Sequence, residues 1–438
     1  MKHIAIIGSG ISGLGAAWFL HRDYQVTVFE GNSYAGGHAR TLSVEEGTCI
    51  LPVDTGFMVF NHATYPHLLR LFRALEVPMK RTDMSFSVNH TDRGLEFCGS
   101  SLNHLFAQRR NLLSPSFYRM LLRIDRFNRE AVAALNDPTV TGLTLADYVR
   151  RQDYGEDFLN LYLIPMSSAV WSTPPKEMMK FPAATLLRFF HNHGFLGLHT
   201  QHPWWTVEGG SKTYVEKLTA PFKDRIRLNE PVHRVQRLAT GKVEVATDAG
   251  TQHFDKVILA CHPPASLKML GGDATPTERR LLAPFRYQPN TTTLHTDASL
   301  MPRTKLAWSA WNYRLDPPAL PPAIGDTTPA IADVSTHYWM NRLQGVSDRV
   351  NYFVSINGED RIKPDAIRTT LDDEHPLFDL AAITAQSEIA ALNAAARGGT
   401  ETYYVGAWQR YGFHEDGLLS AVNLATLLLG RDPWNNAT

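Results

Sequence analysis

The chain has 438 residues, 44% of them hydrophobic and 20% charged, which is enough length and apolar content for two domains with filled cores. Lys and Arg together number 43, as do Asp and Glu, so the formal net charge is zero and no global field favours nucleic acid. Cys49, Cys98 and Cys261 stand far apart, with neither metal-ligand nor disulfide spacing, and read as buried thiols in a reducing, cytoplasmic setting. The apolar run Ile4–Ile7 is too short for a secretory signal, and no uninterrupted apolar stretch of about 18 residues predicts a membrane span.

In chain order, Ile4–Ile7 predicts a buried parallel strand, Gly8–Gly13 a turn, Leu14–His21 a helix and Gln25–Glu30 a second strand. The turn reads Gly8-Ser9-Gly10-Ile11-Ser12-Gly13, a GxGxxG placed between strand and helix. Gly8 permits the tight turn, Gly10 clears space for a pyrophosphate, and Gly13 lets helix and strand approach. The N–H groups around Ile11 and Ser12, at the positive end of the helix, then receive the phosphates. Glu30 closes the second strand where an acid accepts ribose hydroxyls and disfavours a 2′-phosphate. Just beyond it, Gly36 and Gly37 allow close backbone approach, and Arg40, followed by Thr41, is placed to pair with a diphosphate.

Helical periodicity returns at Tyr65–Leu75 and Phe117–Leu135, where Leu121, Leu122, Ile124 and Phe127 read as one face. Phe181–Trp205 holds aromatic pairs, almost no charge, and His191, His193, His199 and His202. His191 and His193 point to different faces of a helix with no carboxylate between them, so no metal site is expected. Phe189–Trp205 reads instead as apolar lining for a substrate tunnel, or as a surface that dips into a membrane. Arg227–Pro264 alternates like a small antiparallel meander feeding a buried strand at Lys256–Ala260. Asp316–Pro329 is a proline-rich connector, Tyr403–Gly406 a short strand, and Leu418–Leu429 a helix with an apolar face.

Taken together, these motifs resemble the amine-oxidase-like flavoproteins, a superfamily that includes monoamine oxidases, protoporphyrinogen oxidase and phytoene desaturases. Ala35–Thr41 resembles the GGRxR(T) motif, with His38 where the first arginine usually stands. Val53–Phe57 resembles the D-x-G segment, so Gly56 and Phe57 are implied to pass close to the isoalloxazine. Val207–Ser211 resembles the GG turn before a helix, Val232 is implied to read adenine through its backbone, and Val257–Pro263 resembles the VIxAxP strand. Val405-Gly406 with Gly412–Ala421 resembles the closing FAD motif, in which a helix N-terminus, here Asp416, Gly417 and Leu418, faces the flavin.

The resemblance implies an α/β flavoprotein of the two-dinucleotide-binding-domain type. Its Rossmann-type FAD domain would comprise residues 1–80, 205–285 and 395–438, with an inserted α+β substrate domain of residues 81–204 and 286–394. FAD is implied to be non-covalent, since the closing segment lacks an SGGCY-like cysteine. The segments YYVGAWQRYGFHEDGL and VDTGFMVFN are further similar to bacterial FAD-binding oxidoreductases associated with cyclopropane fatty-acid-synthase-like methyltransferases. That similarity implies an unsaturated, cyclopropanated or methylated fatty acyl substrate, a methyltransferase-like partner and peripheral membrane contact.

For the chemistry, Trp408 and Tyr411, and with less weight Phe413, are candidates for a substrate-side wall. His414 or Glu415 is the candidate acid–base group, and Asp416 reads first as a helix cap. Three functions follow as expectations: an oxidoreductase passing hydride from an acyl lipid to flavin N5, a flavin amine oxidase, and an accessory flavoprotein holding lipid for a partner enzyme.

Overall fold

Burial on both faces explains why β1 (His3–Ile7), with the sequence HIAII, carries no polar alternation after its first residue. It runs at the centre of a five-stranded parallel sheet, between β2 (Gln25–Phe29) and the Lys256–Leu259 strand. Ile226–Arg227 and Thr402–Tyr404 form the two edges. This computed structural model describes residues 1–197, 200–317 and 333–436, so the proline-rich connector expected at Asp316–Pro329 lies almost wholly outside the described residues.

All ten residues of α1 (Ile11–Leu20) are buried, and the helix starts three residues earlier than the sequence predicts. It lies between the parallel sheet and a closing helix, His414–Leu429. The two helices approach closely because Gly15 faces Leu418 and Ala421; a Cβ at Gly15 would sit 2.9 Å from Leu418 Cδ1. The closing helix starts at His414, before the predicted Leu418, because Asp416 reaches back to accept from the N–H groups of Phe413 (3.0 Å) and Tyr411 (3.2 Å). Gly430, at φ 69°, ends it.

The expected meander forms as three antiparallel strands, Val232–Arg237, Val243–Thr247 and Gly250–Phe254. A second layer is built on a seven-stranded sheet ordered Ile367–Leu377, Arg286–His295, Phe353–Ile356, Asp333–Trp339, Trp311–Asp316, Phe86–His90 and Leu95–Cys98. Helices Pro115–Ala134, Ile164–Trp171 and Ala183–Asn192 accompany it. The fold is thus the expected α/β flavoprotein architecture, with a dinucleotide-type parallel sheet and a second, mixed-sheet layer.

Two smaller expectations fail. Leu122 points to solvent, because adjacent residues cannot share one helical face with Leu121, while Phe127 is buried. Cys49 is exposed at the tip of the Thr41–Glu46/Cys49–Asp54 hairpin, whereas Cys98 is buried and Cys261 partly so; all three are free thiols. Among the described residues no helix is long and apolar enough to cross a membrane, and no cluster of His, Cys, Asp and Glu could hold a metal ion.

Candidate active site

One cavity of about 520 Å³ is lined by the turn after β1, by Glu30 at the end of β2, by Gly36–His38, Gly56 and Phe57, by Ala260–His262, and by Gly406–Trp408. Much of its remaining wall is aromatic, including Tyr65, Trp171, Phe189, Phe195, Trp204 and Phe413, with Glu374 and His375 also on the lining.

The dinucleotide half follows from glycine geometry. Gly8 adopts φ 106° and Gly36 φ 123°, conformations costly for any other residue. A Cβ at Gly13 would collide with the carbonyl oxygen of Gly8, so strand and helix require its absence. Gly10 differs: a Cβ there would meet nothing within 4 Å and would project into open space. Gly36 N–H donates to the Ser9 carbonyl (3.0 Å), and Gly37 packs on Gly10, which pins the second glycine pair against the first turn. No side chain caps α1, so its positive end is offered to the cavity.

Glu30 accepts from the Ser9 N–H (3.0 Å) and hydroxyl (2.6 Å) on one oxygen and from Asn32 on the other (2.9 Å). Three cavity residues, His38, Trp311 and Trp408, each bury a ring nitrogen without a partner. An open cradle at an uncapped helix start, an acid beside it and orphaned polar atoms fit FAD. Among the described residues no lysine or arginine lines this cavity, so the helix end carries the positive pole.

Arg40, expected on the diphosphate, is committed elsewhere. Its Nη2 pairs with Asp373 at 2.6 Å, the two side chains being 10% and 8% exposed, and its Nε donates to Thr55 Oγ1 at 2.9 Å. A carboxylate from the far sheet has captured the guanidinium and drawn it behind the cavity wall. Arg40→Ala should therefore act on stability, costing roughly 3–5 kcal/mol by leaving Asp373 buried and unpaired. Urea unfolding of the purified variant checks this.

Other expected cofactor residues also stand behind the wall. Thr41 donates to Asp54 and accepts from the Lys212 N–H, locking the hairpin to the next helix. Val232 pairs with Thr247 in the meander. Gly417 makes room for α1, since a Cβ there would lie 2.8 Å from Ile11 Cγ2 and from Ser12 Oγ, and Leu418 packs on Gly15. Asp416 is the helix cap described above, and burial pushes its carboxyl up to about 7.

Of the four candidate catalytic residues, His414 and Trp408 reach the cavity. His414 stacks on Phe57 at 3.9 Å, shares a hydrogen bond with the Tyr214 hydroxyl (2.9 Å), and is pushed down to about 3 by burial. It is neutral at pH 7 and lines the wall. Trp408 lies on the dinucleotide side, packed on Phe285 at 4.6 Å, rather than in the aromatic wall. Tyr411 stands behind that wall, with its carbonyl accepting from Trp171 Nε1 at 3.0 Å and its ring against Phe189. Phe413 takes the wall position and lies 5.1 Å from Phe189.

Glu415 leaves the site altogether. Both its oxygens accept backbone N–H groups at the start of the Pro66–Ala74 helix, from His67 (3.0 Å) and Leu68 (2.9 Å). It caps a helix that is not its own. Glu415→Ala is expected to cost about 1–3 kcal/mol in urea unfolding while leaving the rate of flavin reduction per bound flavin unchanged.

Within the Phe189–Trp205 segment, Phe189 and Trp204 are buried and line the cavity with Phe195, while His191, Thr200, Gln201 and Pro203 are exposed. His193 stacks on Phe189 at 3.9 Å with its Nδ1 on the Phe189 carbonyl, His202 Nε2 meets the Asn192 carbonyl, and His199 lies outside the described residues.

Sequence reasoning missed His375. The Thr291 N–H donates to Asn357 Oδ1 (3.0 Å), Asn357 Nδ2 to Asn290 Oδ1 (2.8 Å), and Asn290 Nδ2 to His375 Nδ1 (2.8 Å). A backbone N–H thereby fixes both amides and leaves the His375 proton on Nε2. Burial, with the nearby His38, pushes the ring down to about 3. His375 lines the cavity as a neutral N–H donor, its ring 5.5 Å from that of His38.

Residues 11–348 match the family described as flavin containing amine oxidoreductase. Over 82 residues the chain is 44% identical to the 1-hydroxycarotenoid 3,4-desaturase of Flavobacterium sp. (strain P99-3), a match that spans 18% of this chain and only 15% of the desaturase. Cyclohexylamine oxidase from Brevibacterium oxydans IH-35A shares the fold with a TM-score of 0.63 at 16% identity, over 98% of this chain and 99% of the oxidase. The CLA-producing fatty acid isomerase from P. acnes does so with a TM-score of 0.63 at 14% identity, over 97% and 98%. The family match takes in most of the chain, from the start of α1 onward: the protein belongs to the flavin-containing amine oxidoreductase family and is an FAD-dependent oxidoreductase.

Proposed function

We propose that this enzyme oxidises or isomerises a hydrophobic acyl chain, an unsaturated or methylated fatty acyl group, seated at the aromatic end of the cavity. The single observation carrying this reading is the character of that wall. From Tyr65 through Trp171, Phe189, Phe195, Trp204 and Phe413 it presents no charged side chain. A hydrocarbon chain gains by leaving water there, whereas the two carboxylates that line the cavity, Glu30 and Glu374, are held on the dinucleotide side, Glu30 by Ser9 and Asn32 and Glu374 beside His262. Bound FAD supplies a hydride-accepting ring.

The chain's own residues supply the rest. The stacked Phe413 and Phe189 exclude water and hold the substrate's reacting carbon in place. His375 offers its fixed Nε2–H to a polar atom of the bound pair, and His414 stays neutral against Phe57. Both the desaturase and the isomerase, by their names, handle double bonds, which agrees with this reading. Cyclohexylamine oxidase has an equally similar fold, so the test must separate lipid from amine. Anaerobic addition of unsaturated phospholipid or fatty acid should bleach the flavin where the chain is oxidised, or return the lipid with a shifted double bond where it is isomerised. Failure of every acyl lipid, together with bleaching and peroxide release by cyclohexylamine, would replace this reading with amine oxidation.

A further inference from the structure

Half of the large hydrophobic side chains most exposed to solvent fall in one short stretch. Leu102 is 75% exposed, Leu113 89% and Leu122 70%, and Leu112 and Tyr118 accompany them. The elements that carry them are in contact. Leu102 lies one turn before Phe106, and the Phe106 ring sits 5.7 Å from Tyr118 and 5.6 Å from Phe117. Tyr118 and Leu122 are four residues apart on the Pro115–Ala134 helix and so share a face. Isolated exposed leucines need no explanation, but a contiguous group of this kind marks a contact surface.

Charge identifies what it contacts. From Phe97 to Ile124 the chain holds Arg109, Arg110, Arg119 and Arg123 and no acidic residue. Arg109 and Arg110 hydrogen-bond to backbone carbonyls and side-chain amides, so their charge is not cancelled. The adjoining turn adds the exposed Arg303 and Lys305. The nearest carboxylate on the neighbouring strand, Glu96, is buried and faces inward to the N–H groups of Arg303 and Thr304. Asp125, one turn further along the helix, is paired with Arg129. Leucines and a tyrosine rimmed by arginines, with the adjoining carboxylates Asp125 and Asp157 paired to Arg129 and Arg93, match the interface of an anionic bilayer.

We propose that the Leu102–Arg123 surface docks on an anionic lipid bilayer. The patch also lies over the right part of the molecule. Phe117 and Met120, beneath it, pack in one cluster with Ala169 and Tyr313, and Trp311 both packs on that cluster and lines the cavity. The inference is independent of which substrate the cavity takes.

The test is flotation of the FAD-loaded full chain with phosphatidylcholine vesicles, with and without phosphatidylglycerol. The protein should float with the phosphatidylglycerol vesicles alone, and less so at high salt. Leu112→Ser with Leu113→Ser, and separately Arg109→Glu with Arg110→Glu, should each cut the bound fraction by about tenfold or more. Both pairs should keep the wild-type flavin spectrum and melting midpoint, because the altered side chains are exposed. Leu102→Ser with Leu122→Ser, on other elements, should repeat the loss. Wild-type protein left unbound by phosphatidylglycerol vesicles, or variants that bind undiminished, would overturn the proposal. So would a lipid-free dimer that Leu113→Ser disperses, since a second copy would then cover the patch.

Discussion

Gly10→Val should yield a folded protein that carries no flavin. A Cβ at Gly10 meets nothing within 4 Å, so the fold tolerates it, but the added methyl groups enter the open cradle at the start of α1. There they occupy the place of the pyrophosphate and push it from the helix N–H groups, a loss of about a thousandfold or more in affinity, on the order of 4 kcal/mol. Gly13→Val provides the contrast. Its Cβ collides with the Gly8 carbonyl oxygen and lies 3.1 Å from Ala260 Cβ, so it should lose flavin and fold together. Visible flavin absorbance and circular dichroism separate the two outcomes. A Gly10→Val protein that stays yellow would displace the cofactor from this cradle.

Mild acid should weaken the protein sharply between pH 7 and pH 5. Burial pushes His193 and His295 down to about 4 and His337 to about 3, from an ordinary 6.5. His295 accepts the Asp297 N–H (3.1 Å), and Ser355 bridges His295 (2.7 Å) to His337 (2.6 Å), so neither ring has a place for a second proton. Because the folded values are depressed, the stability they contribute is present above 6.5 and is lost as pH falls toward 4 and 3. Each unfolded-state protonation is worth about 2 kcal/mol by pH 5, or about 6 kcal/mol for the three, within a typical total of about 5–15 kcal/mol.

Asp416 works the other way. Its folded value, raised to about 7, gives a contribution that is complete below 3.8 and lost as pH rises through 7. It returns about 2 kcal/mol over the same interval, leaving a net loss of about 4 kcal/mol. The cavity histidines His375 and His414 add to this loss in flavin-free protein. Urea unfolding at pH 7 and pH 5 measures the difference, and equal midpoints would contradict neutral buried histidines.

The dinucleotide half of the site was legible because its parts are adjacent in sequence: a strand, a GxGxxG turn, a helix and an acid occupy the first thirty residues. The other half is assembled across the chain. The pairing of Arg40 was not legible because its carboxylate partner is residue 373, in a different sheet. Glu415 sits at the start of one helix and caps another, and a cluster of polar residues in sequence cannot say which N–H groups a carboxylate will find. The His375 tautomer depends on three strands meeting, so no local pattern announces it. Of the Phe189–Trp205 run, Phe189, Phe195 and Trp204 line the cavity, and whether such a run faces a cavity or a membrane is decided by what packs over it.

The order of strands in the parallel sheet also governs how the molecule is made. β1 and α1 are synthesised long before their partners: β1 needs the Lys256–Leu259 strand beside it, and α1, buried along its whole length, is covered by the His414–Leu429 helix. Contacts this distant in sequence close late and slowly. Throughout translation the nascent chain therefore carries an apolar helix with no permanent cover, the kind of segment that chaperones bind. The cradle for FAD cannot be completed until the chain has been built to Gly417, so the cofactor joins after both of its helices are made rather than nucleating the first.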